Sequence, residues 1–536
     1  MPQTFHQLVT QSALKKPDAT ALQHKNQRLS YQQLALAINN SSQSFLRSGL
    51  LKSEKIAVYL PKQFEAVIAL FSISAAGGVF VPINPLLKSP QVKHILQDCQ
   101  VSYLVTSLSR YKQLKPTIDS LGSLKQIILT DCKQQACPTN CIKWDDFIQP
   151  QNNIIQNNIL SSPAKDFEPA NINAKDIAAI LYTSGSTGQP KGVVLSHTNL
   201  VEGAKSVASY LNNTSQDKLL AVLPFSFDYG LSQLTTAFFA GACVVLLEYL
   251  LPRDVINAVA NYKITGLAAV PALWTQLAPL DWPTNNLRYI TNSGGAMPPT
   301  TLKQLQQQLP HTSIYLMYGL TEAFRSTYLE PSEIQNHPLS IGKAIPNANI
   351  LVLNSHGDIC QANEEGELVH QGVHVALGYW GNETISNKKF KPLPKQLRAQ
   401  YGHEKVVWSG DQVVRDVDGF LYFIGRKDDM IKSSGYRISP EEIEAPLYSH
   451  AKIKQVAAIG VPHSRLGQAV VLIISTSEDA TLNEKQCLAQ CKKLLPNYMQ
   501  PQAIKFIDSL PINANGKINR SLLSQQYSCL FLSQGS

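Results

Sequence analysis

The 536 residues are 44% hydrophobic and 16% charged, with a formal net charge of +9. That length calls for two or more folding units, and the apolar fraction is that of an ordinary soluble globular protein with ample core. A charge this mild, carried by scattered basic residues, excludes a protein built around nucleic-acid binding.

The opening stretch MPQTFHQLVT lacks the basic and then apolar plan of a signal peptide. Residues 5–106 alternate helix and strand patterns. Leu29-Ser30-Tyr31 opens a helix, residues 56–60 read as a strand, residues 64–76 as a helix closed by Gly77 and Gly78, and residues 79–82 as another strand. Strands alternating with helices argue for a parallel sheet covered on both faces. Residues 130–169 dissolve into Gln, Asn, Lys and Asp and read as a variable surface excursion. Cys132, Cys137 and Cys141 fall there at a spacing that matches no common zinc pattern, and the nine cysteines of a chain expected in the cytoplasm should stay reduced.

The stretch LYTSGSTGQPKGVVLSHTNL follows. An apolar strand runs into Thr183, Ser184, Gly185, Ser186, Thr187 and Gly188, then Lys191, before Val193, Val194 and Leu195 resume a strand. Gly185, Gly188 and Gly192 let the backbone turn its N–H groups inward as a nest for anions. The hydroxyls add donors and Lys191 adds a positive charge, so a phosphate chain is the natural guest. The string is not a Walker A loop, because Pro190 stands where that motif has its second glycine.

Beyond it the alternation resumes, with strands at residues 219–223 and 242–247. The longest apolar run, residues 237–247, meets Glu248 and is too short to span a bilayer, so no membrane insertion is expected. Residues 287–291 lead into Ser293-Gly294-Gly295-Ala296, a helix covers residues 299–309, and residues 314–317 form a strand. Residues 340–423 turn to short strands with Gly and Asn turns, a small β-rich lobe in which Lys388, Lys389, Lys391, Lys395 and Arg398 read as a solvated basic loop. Composition shifts to charge and turn residues at 425–444, where Ser439-Pro440-Glu441-Glu442 is a strong helix start. The remainder is long enough to fold as its own lobe, so domains are expected at 1–425 and 426–536. Cys487 and Cys491, one helical turn apart, are read as sharing a helix face.

The glycine-rich string resembles the phosphate loop of the AMP-forming adenylating superfamily, which holds acyl- and aryl-CoA ligases, amino-acid adenylation domains and firefly-type luciferases. Five further stretches resemble the same superfamily in the same order. In TNSGGAMP, the resemblance makes Gly294, Gly295 and Ala296 the adenine shelf. In MYGLTEA, it implies that Tyr318 stacks on adenine beside Gly319, that Thr321 touches the α-phosphate and that Glu322 holds Mg²⁺. In WSGD, Asp411 would accept hydrogen bonds from both ribose hydroxyls, with Ser409 where the family usually has Thr, and Arg426 would reach the ribose and phosphate side. Asp428 matches the hinge position, and Lys432 and Gly435 follow on the side that faces the thiol acceptor. In NANGKINR, Lys517 would bridge the carboxylate and the α-phosphate. The resemblance thus implies Lys517, Thr187, Lys191 and Glu322 as the catalytic set, with ATP, Mg²⁺ and CoA, or a carrier-protein phosphopantetheine, as cofactors. It also implies an α/β fold. A large N-terminal domain of two α/β/α-layered subdomains and a small β-rich lobe would carry a smaller, mobile C-terminal α+β domain.

Residues 223–234, LPFSFDYGLSQL, are expected to line the acid pocket together with Gly294. Phe227 stands where many acyl- and aryl-CoA ligases carry His, and Asp228 falls where amino-acid adenylation domains pair the substrate ammonium. A buried carboxylate without a cationic partner is costly, so an amine-bearing substrate would satisfy Asp228; a protein donor is the alternative. Arg325 either faces the acid pocket or forms a structural ion pair. Taken whole, the chain most resembles the acyl-CoA ligases associated with bacterial exosortase A systems, through strings such as FVPINPLLK, SFDYGLSQLTTAF, GLTEAFRSTYL and SIGKAIPNA. The implied activity is activation of a carboxylic acid and transfer to CoA. The alternative is a stand-alone amino-acid adenylation enzyme that loads a separate carrier protein.

Overall fold

The structure, a computed structural model, describes residues 1–87, 89–132, 137–149, 171–183, 190–426, 431–433, 436–438, 440–448, 452–463, 466–476, 482–495, 499–513 and 516–531. It is an α/β protein with a large N-terminal domain and a smaller α+β C-terminal domain. Two sheets organise the large domain. In the first, strands Ile177–Thr183, Val79–Pro82, Lys55–Tyr59, Tyr103–Thr106, Gln126–Leu129 and Cys141–Lys143 run parallel. Antiparallel Lys191–Ser196 and then Gly378–Tyr379 close one edge. In the second, strands Cys243–Leu246, Lys218–Ala221, Gly266–Ala269, Tyr289–Asn292 and Ser313–Tyr318 run parallel.

The expected strand and helix order is present, with ends shifted by up to two residues. Ser30 caps the helix Tyr31–Arg47 through a reciprocal pairing with Gln33, which is why Leu29-Ser30-Tyr31 starts it. Helix Phe64–Ala75 is apolar around most of its circumference and so cannot lie on the surface. It is buried beside an equally enclosed helix, Asp228–Ala240, with Phe71 and Phe238 meeting edge to face at 5.3 Å. Phe5 stacks on Phe71 at 4.1 Å, tying the N-terminus into this central layer.

Two sequence readings need correction. Residues 130–169 are not wholly a surface excursion: Cys141–Lys143 extends the first sheet, and Trp144 and Phe147 are buried, Phe147 4.9 Å from Phe45. Two aromatic side chains suffice to anchor a segment whose composition is otherwise polar. The β-rich lobe expected from the sequence is present and is joined to the second sheet. Strand Ser340–Ala344 pairs with Thr327–Leu329 on one edge and with Leu421–Arg426 on the other. The second sheet therefore continues unbroken through Leu421–Arg426, Lys405–Arg415, Glu365–Gly372 and Ala348–Leu353. The basic group is no loop either: Lys388 and Lys389 end helix Glu383–Lys389, Lys391 lies 4.2 Å over the Trp408 ring, and Arg398 Nε donates to the Leu393 carbonyl. Cations at a helix C-terminus suit its dipole.

The C-terminal domain is a five-stranded sheet among the described residues, centred on the long hairpin Ile453–His463 and Gly467–Thr476. Helices Pro440–Tyr448 and Glu484–Leu494 cover one face, and Arg520–Gln526 covers the other. Cys487 and Cys491 point together into the first of these cores, as their spacing predicts. No helix among the described residues is long and apolar enough to cross a membrane.

Candidate active site

The glycine-rich loop joins two strands whose ends are register partners, Thr183 opposite Lys191. Ser184, Gly185, Ser186, Thr187 and Gly188 lie outside the described residues, as do Asp428 and Gly435 and the side chains of Arg426 and Lys432. The strand Gly378–Tyr379 beside Lys191 brings in a residue that the sequence did not single out. The Tyr379 ring lies 5.9 Å from Lys191 Nζ, and its hydroxyl donates to Glu322 Oε1 at 2.6 Å. Lys191 and Glu322, far apart in sequence, therefore share one aromatic neighbour. Only a Gly-Tyr-Trp string in a turn-rich stretch marked this position.

Tyr318 ends the strand Ser313–Tyr318, and its hydroxyl donates to Asp411 Oδ2. Asp411 is aimed by its own strand. Gly410, at φ +75°, sits where the pairing of Lys405–Arg415 with Glu365–Gly372 slips, and its N–H donates to Glu367 Oε1 at 2.9 Å. Ser409 accepts the Asp411 N–H at 3.0 Å and donates to the Leu368 carbonyl at 2.6 Å, so the shorter hydroxyl residue braces the turn. The backbone of Arg426 pairs with Asp411 across the next strand.

The loop Gly319-Leu320-Thr321-Glu322-Ala323-Phe324-Arg325 is the tip of a hairpin closed by Ser326 N–H on the Tyr318 carbonyl at 3.0 Å. Gly319 is required there, because a Cβ would lie 2.9 Å from the Phe324 carbonyl and 3.0 Å from Arg325 Cα. Phe324 adopts φ +59° and ψ −78°, a strained conformation for a bulky residue. Its ring fills the space beside Gly203, where a Cβ would meet it at 2.6 Å.

Gly294, at φ +87°, lies at the centre: a Cβ there would be 3.4 Å from Val270, 3.8 Å from the Phe227 ring and 3.9 Å from Lys517 Cε. Asn292 Nδ2 holds the turn by donating to the Gly295 carbonyl at 3.0 Å, leaving Gly295 and Ala296 exposed. Lys517 thus reaches from the C-terminal domain to the N-terminal one. Its turn is fixed by Gly516 at φ +77°, by the Asn513 N–H on the Lys517 carbonyl at 2.8 Å and by the Lys517 N–H on Asn513 Oδ1 at 3.1 Å. Arg520 anchors the same segment to helix Pro440–Tyr448 by gripping Glu444 at 2.7 Å.

Asp228 begins the helix Asp228–Ala240 and is buried, accepting the Thr321 hydroxyl at 3.1 Å. Burial pushes its carboxyl up, opposed first by the Arg325 guanidinium and then by the Thr321 hydroxyl and Lys517. Asp228 therefore has a protein donor and a protein cation acting on it. Among the described residues Arg325 forms no ion pair.

Burial also raises the Glu441 carboxyl, with help from Glu444 and Asp411, up to about 8. Because this lies above its ordinary value, the folded protein favours the protonated acid. The contribution is complete below about 4.5 and is lost as pH rises toward 8. Glu441→Gln should remove that loss, raising the thermal midpoint at pH 8 relative to the parent while leaving it unchanged at pH 4.5. Equal slopes of midpoint against pH in both proteins would contradict the assignment.

The AMP-binding enzyme family matches residues 9–380, and the AMP-binding enzyme C-terminal domain matches residues 442–517. The long-chain-fatty-acid–CoA ligase of Bacillus subtilis (strain 168) is 28% identical over 550 aligned positions, covering 98% of this chain and 94% of that one. Tyrocidine synthase 1 of Brevibacillus parabrevis is 28% identical over 97% of this chain, which spans only 45% of that longer protein. The fold is shared with ATP-bound MatB from Rhodopseudomonas palustris (TM-score 0.85, 22% identity, 99% and 100% of the two chains). It is shared also with the anthranilate CoA ligase AuaEII bound to anthranoyl-AMP (TM-score 0.86, 23% identity, 98% of each chain). With both of its domains matched and the sheet order to go with them, this chain belongs to the AMP-binding enzyme family.

Proposed function

We propose that the protein activates a carboxylic acid with ATP as an acyl-adenylate and then transfers the acyl group to the thiol of CoA. The observation that carries this reading is the approach of Lys517 to Gly294, beside Phe227 and within electrostatic reach of Asp228. A carboxylate oxygen attacks the α-phosphorus of ATP, and the bond to pyrophosphate breaks. Lys517 offsets the charge that builds on the phosphoryl oxygens, with Thr321 and the hydroxyls of the glycine-rich loop (Thr183, Ser184, Ser186, Thr187) orienting them alongside Lys191. Tyr318 and the shelf Gly294-Gly295-Ala296 hold adenine, and Asp411 and Arg426 hold the ribose.

Glu322 fits Mg²⁺: it is a hard carboxylate with one oxygen taken by Tyr379, and among the described residues no cluster of three or more His, Cys, Asp or Glu competes for a metal. Magnesium needs one or two carboxylates plus phosphate oxygens, and when bound it neutralises the triphosphate. For the second step, rotation of the C-terminal domain about Asp428 withdraws Lys517 and brings Lys432 and Gly435 to the site. The thiol sulfur then attacks the acyl carbon, the carbon–oxygen bond to AMP breaks, and the thiol proton leaves to solvent.

The alternative, an amino-acid adenylation enzyme loading a carrier protein, relies on Asp228 to hold an ammonium. Thr321 and Arg325 already act on that carboxylate, which favours the CoA reading. The test is ATP-dependent pyrophosphate release against fatty, aryl and amino acids with hydroxylamine as trap, followed by loss of free CoA thiol with the best acid. Thiol loss with a non-amino acid is expected. Turnover of amino acids alone, with CoA untouched, would replace this reading by the alternative.

A further inference from the structure

We propose that Tyr379 is a positioning residue for Glu322, fixing its carboxylate for Mg²⁺ and so setting how much of the cation the site requires. The inference rests on the acid-activating reading above and adds a residue to the same site.

Glu322 stands on the short turn Thr321–Ala323 at the tip of a hairpin, and its side chain is long and flexible. Such a carboxylate has no fixed direction unless a neighbour supplies one. Residues 376–380 grip it twice. The Ala376 N–H donates to the Glu322 carbonyl at 2.9 Å, and the Tyr379 hydroxyl donates to Oε1 at 2.6 Å. Backbone and side chain of Glu322 are thus both tied to one short segment.

Tyr379 is itself held from several sides. Its backbone pairs with Val193, its N–H donates to Ser386 Oγ at 2.8 Å, and its ring meets the buried Phe390 edge on at 5.4 Å. On either side of it, the Leu377 N–H donates to the Val194 carbonyl at 2.9 Å and the Trp380 N–H to the Gly192 carbonyl at 2.7 Å. The hydroxyl therefore reaches Glu322 from a sheet edge, braced on the strand that leaves the glycine-rich loop at Lys191. A phenol suits this task, because it orients the carboxylate through one hydrogen bond without cancelling its charge. Lysine or arginine in its place would pair with Glu322 as an ion and compete with the cation. Partners that hydrogen-bond a metal-ligating carboxylate commonly set about 10–100-fold in metal affinity.

The experiment titrates Mg²⁺ into the whole protein with α,β-methylene-ATP, which cannot be cleaved at the α-phosphorus, and reads bound nucleotide by displacement of a fluorescent ATP analogue. Tyr379→Phe keeps the ring against Phe390 and near Lys191 and removes only the hydroxyl, so folding is not at stake. It should raise the Mg²⁺ concentration at half-maximal effect by about 10-fold or more, with the affinity measured in EDTA unchanged. In pyrophosphate release with the best acid, excess Mg²⁺ should restore the variant toward the parental kcat. Glu322→Gln should shift the midpoint in the same direction, and adding Tyr379→Phe to it should shift it no further. An unmoved midpoint in Tyr379→Phe, a loss equal in Mg²⁺ and in EDTA, or full additivity of the two substitutions would overturn the inference. Silence of the parent toward every acid, with the Mg²⁺ midpoint shifted as expected, would remove the acid-activating reading and leave the role of Tyr379 standing. Failure of the parent to bind the analogue at all would remove both.

Discussion

Replacing Lys517 by alanine is expected to lower adenylate formation by about 10²–10³-fold, the usual cost of one group aimed at developing charge. ATP affinity should change little. The proposed shelf, the ring of Tyr318, Asp411 and Glu322 all lie before residue 426, whereas Lys517 comes from the C-terminal domain. Its turn is held by Gly516, Asn513 and the Arg520–Glu444 grip, so truncating the side chain leaves the segment in place. The loss should therefore appear in kcat with an unaltered nucleotide titration. Pyrophosphate exchange at the parental rate would dismiss the proposed role for this lysine. A matching fall in ATP affinity would move that role from chemistry to binding.

Gly230→Ala should produce a large loss of stability, about 3 kcal/mol by the measure of overpacked cores. A Cβ at Gly230 would stand 2.0 Å from the Pro224 carbonyl oxygen, 2.8 Å from its carbon and 3.0 Å from the Leu223 oxygen. These are backbone atoms, and the Pro224 carbonyl also accepts the Phe227 N–H at 3.1 Å, so no rotamer change relieves the clash. Helix Asp228–Ala240 would have to back away from the turn, carrying Asp228 and the Tyr229, Ser232 and Gln233 stripe with it. Chemical denaturation should show the lower midpoint, and any folded fraction should have a raised KM for acid with that for ATP nearly unchanged. A stable variant with normal acid kinetics would contradict the packing described around this helix.

The parts of the candidate site that the sequence displayed are those set by local chemistry. Gly294 and Gly516 adopt left-handed backbone, Ser409 braces a turn, and the flanks of the glycine-rich loop are strands because their apolar residues sit in a sheet. What it did not display depends on neighbours distant along the chain. Tyr379 matters because its two-residue strand pairs with Val193 and Val194, and nothing in Gly-Tyr-Trp encodes that partner. Arg325 reads as one charged residue among many until Phe324 and Tyr229 are seen around it. Periodicity reports which face of an element is covered, never by what.

The strand Ser340–Ala344 makes one ladder of what would otherwise be two sheets, and Gly342 permits it, since any Cβ there would fall 1.8 Å from the Tyr328 carbonyl oxygen. The consequence is mechanical. Tyr318 and Asp411, on strands of that one plate, keep their spacing when torque is applied beyond residue 426, because twisting one relative to the other means tearing the hydrogen bonds between them in concert. On the proposed reading, the adenosine end of the nucleotide would be gripped by this stiff plate while Lys517 moves with the C-terminal domain.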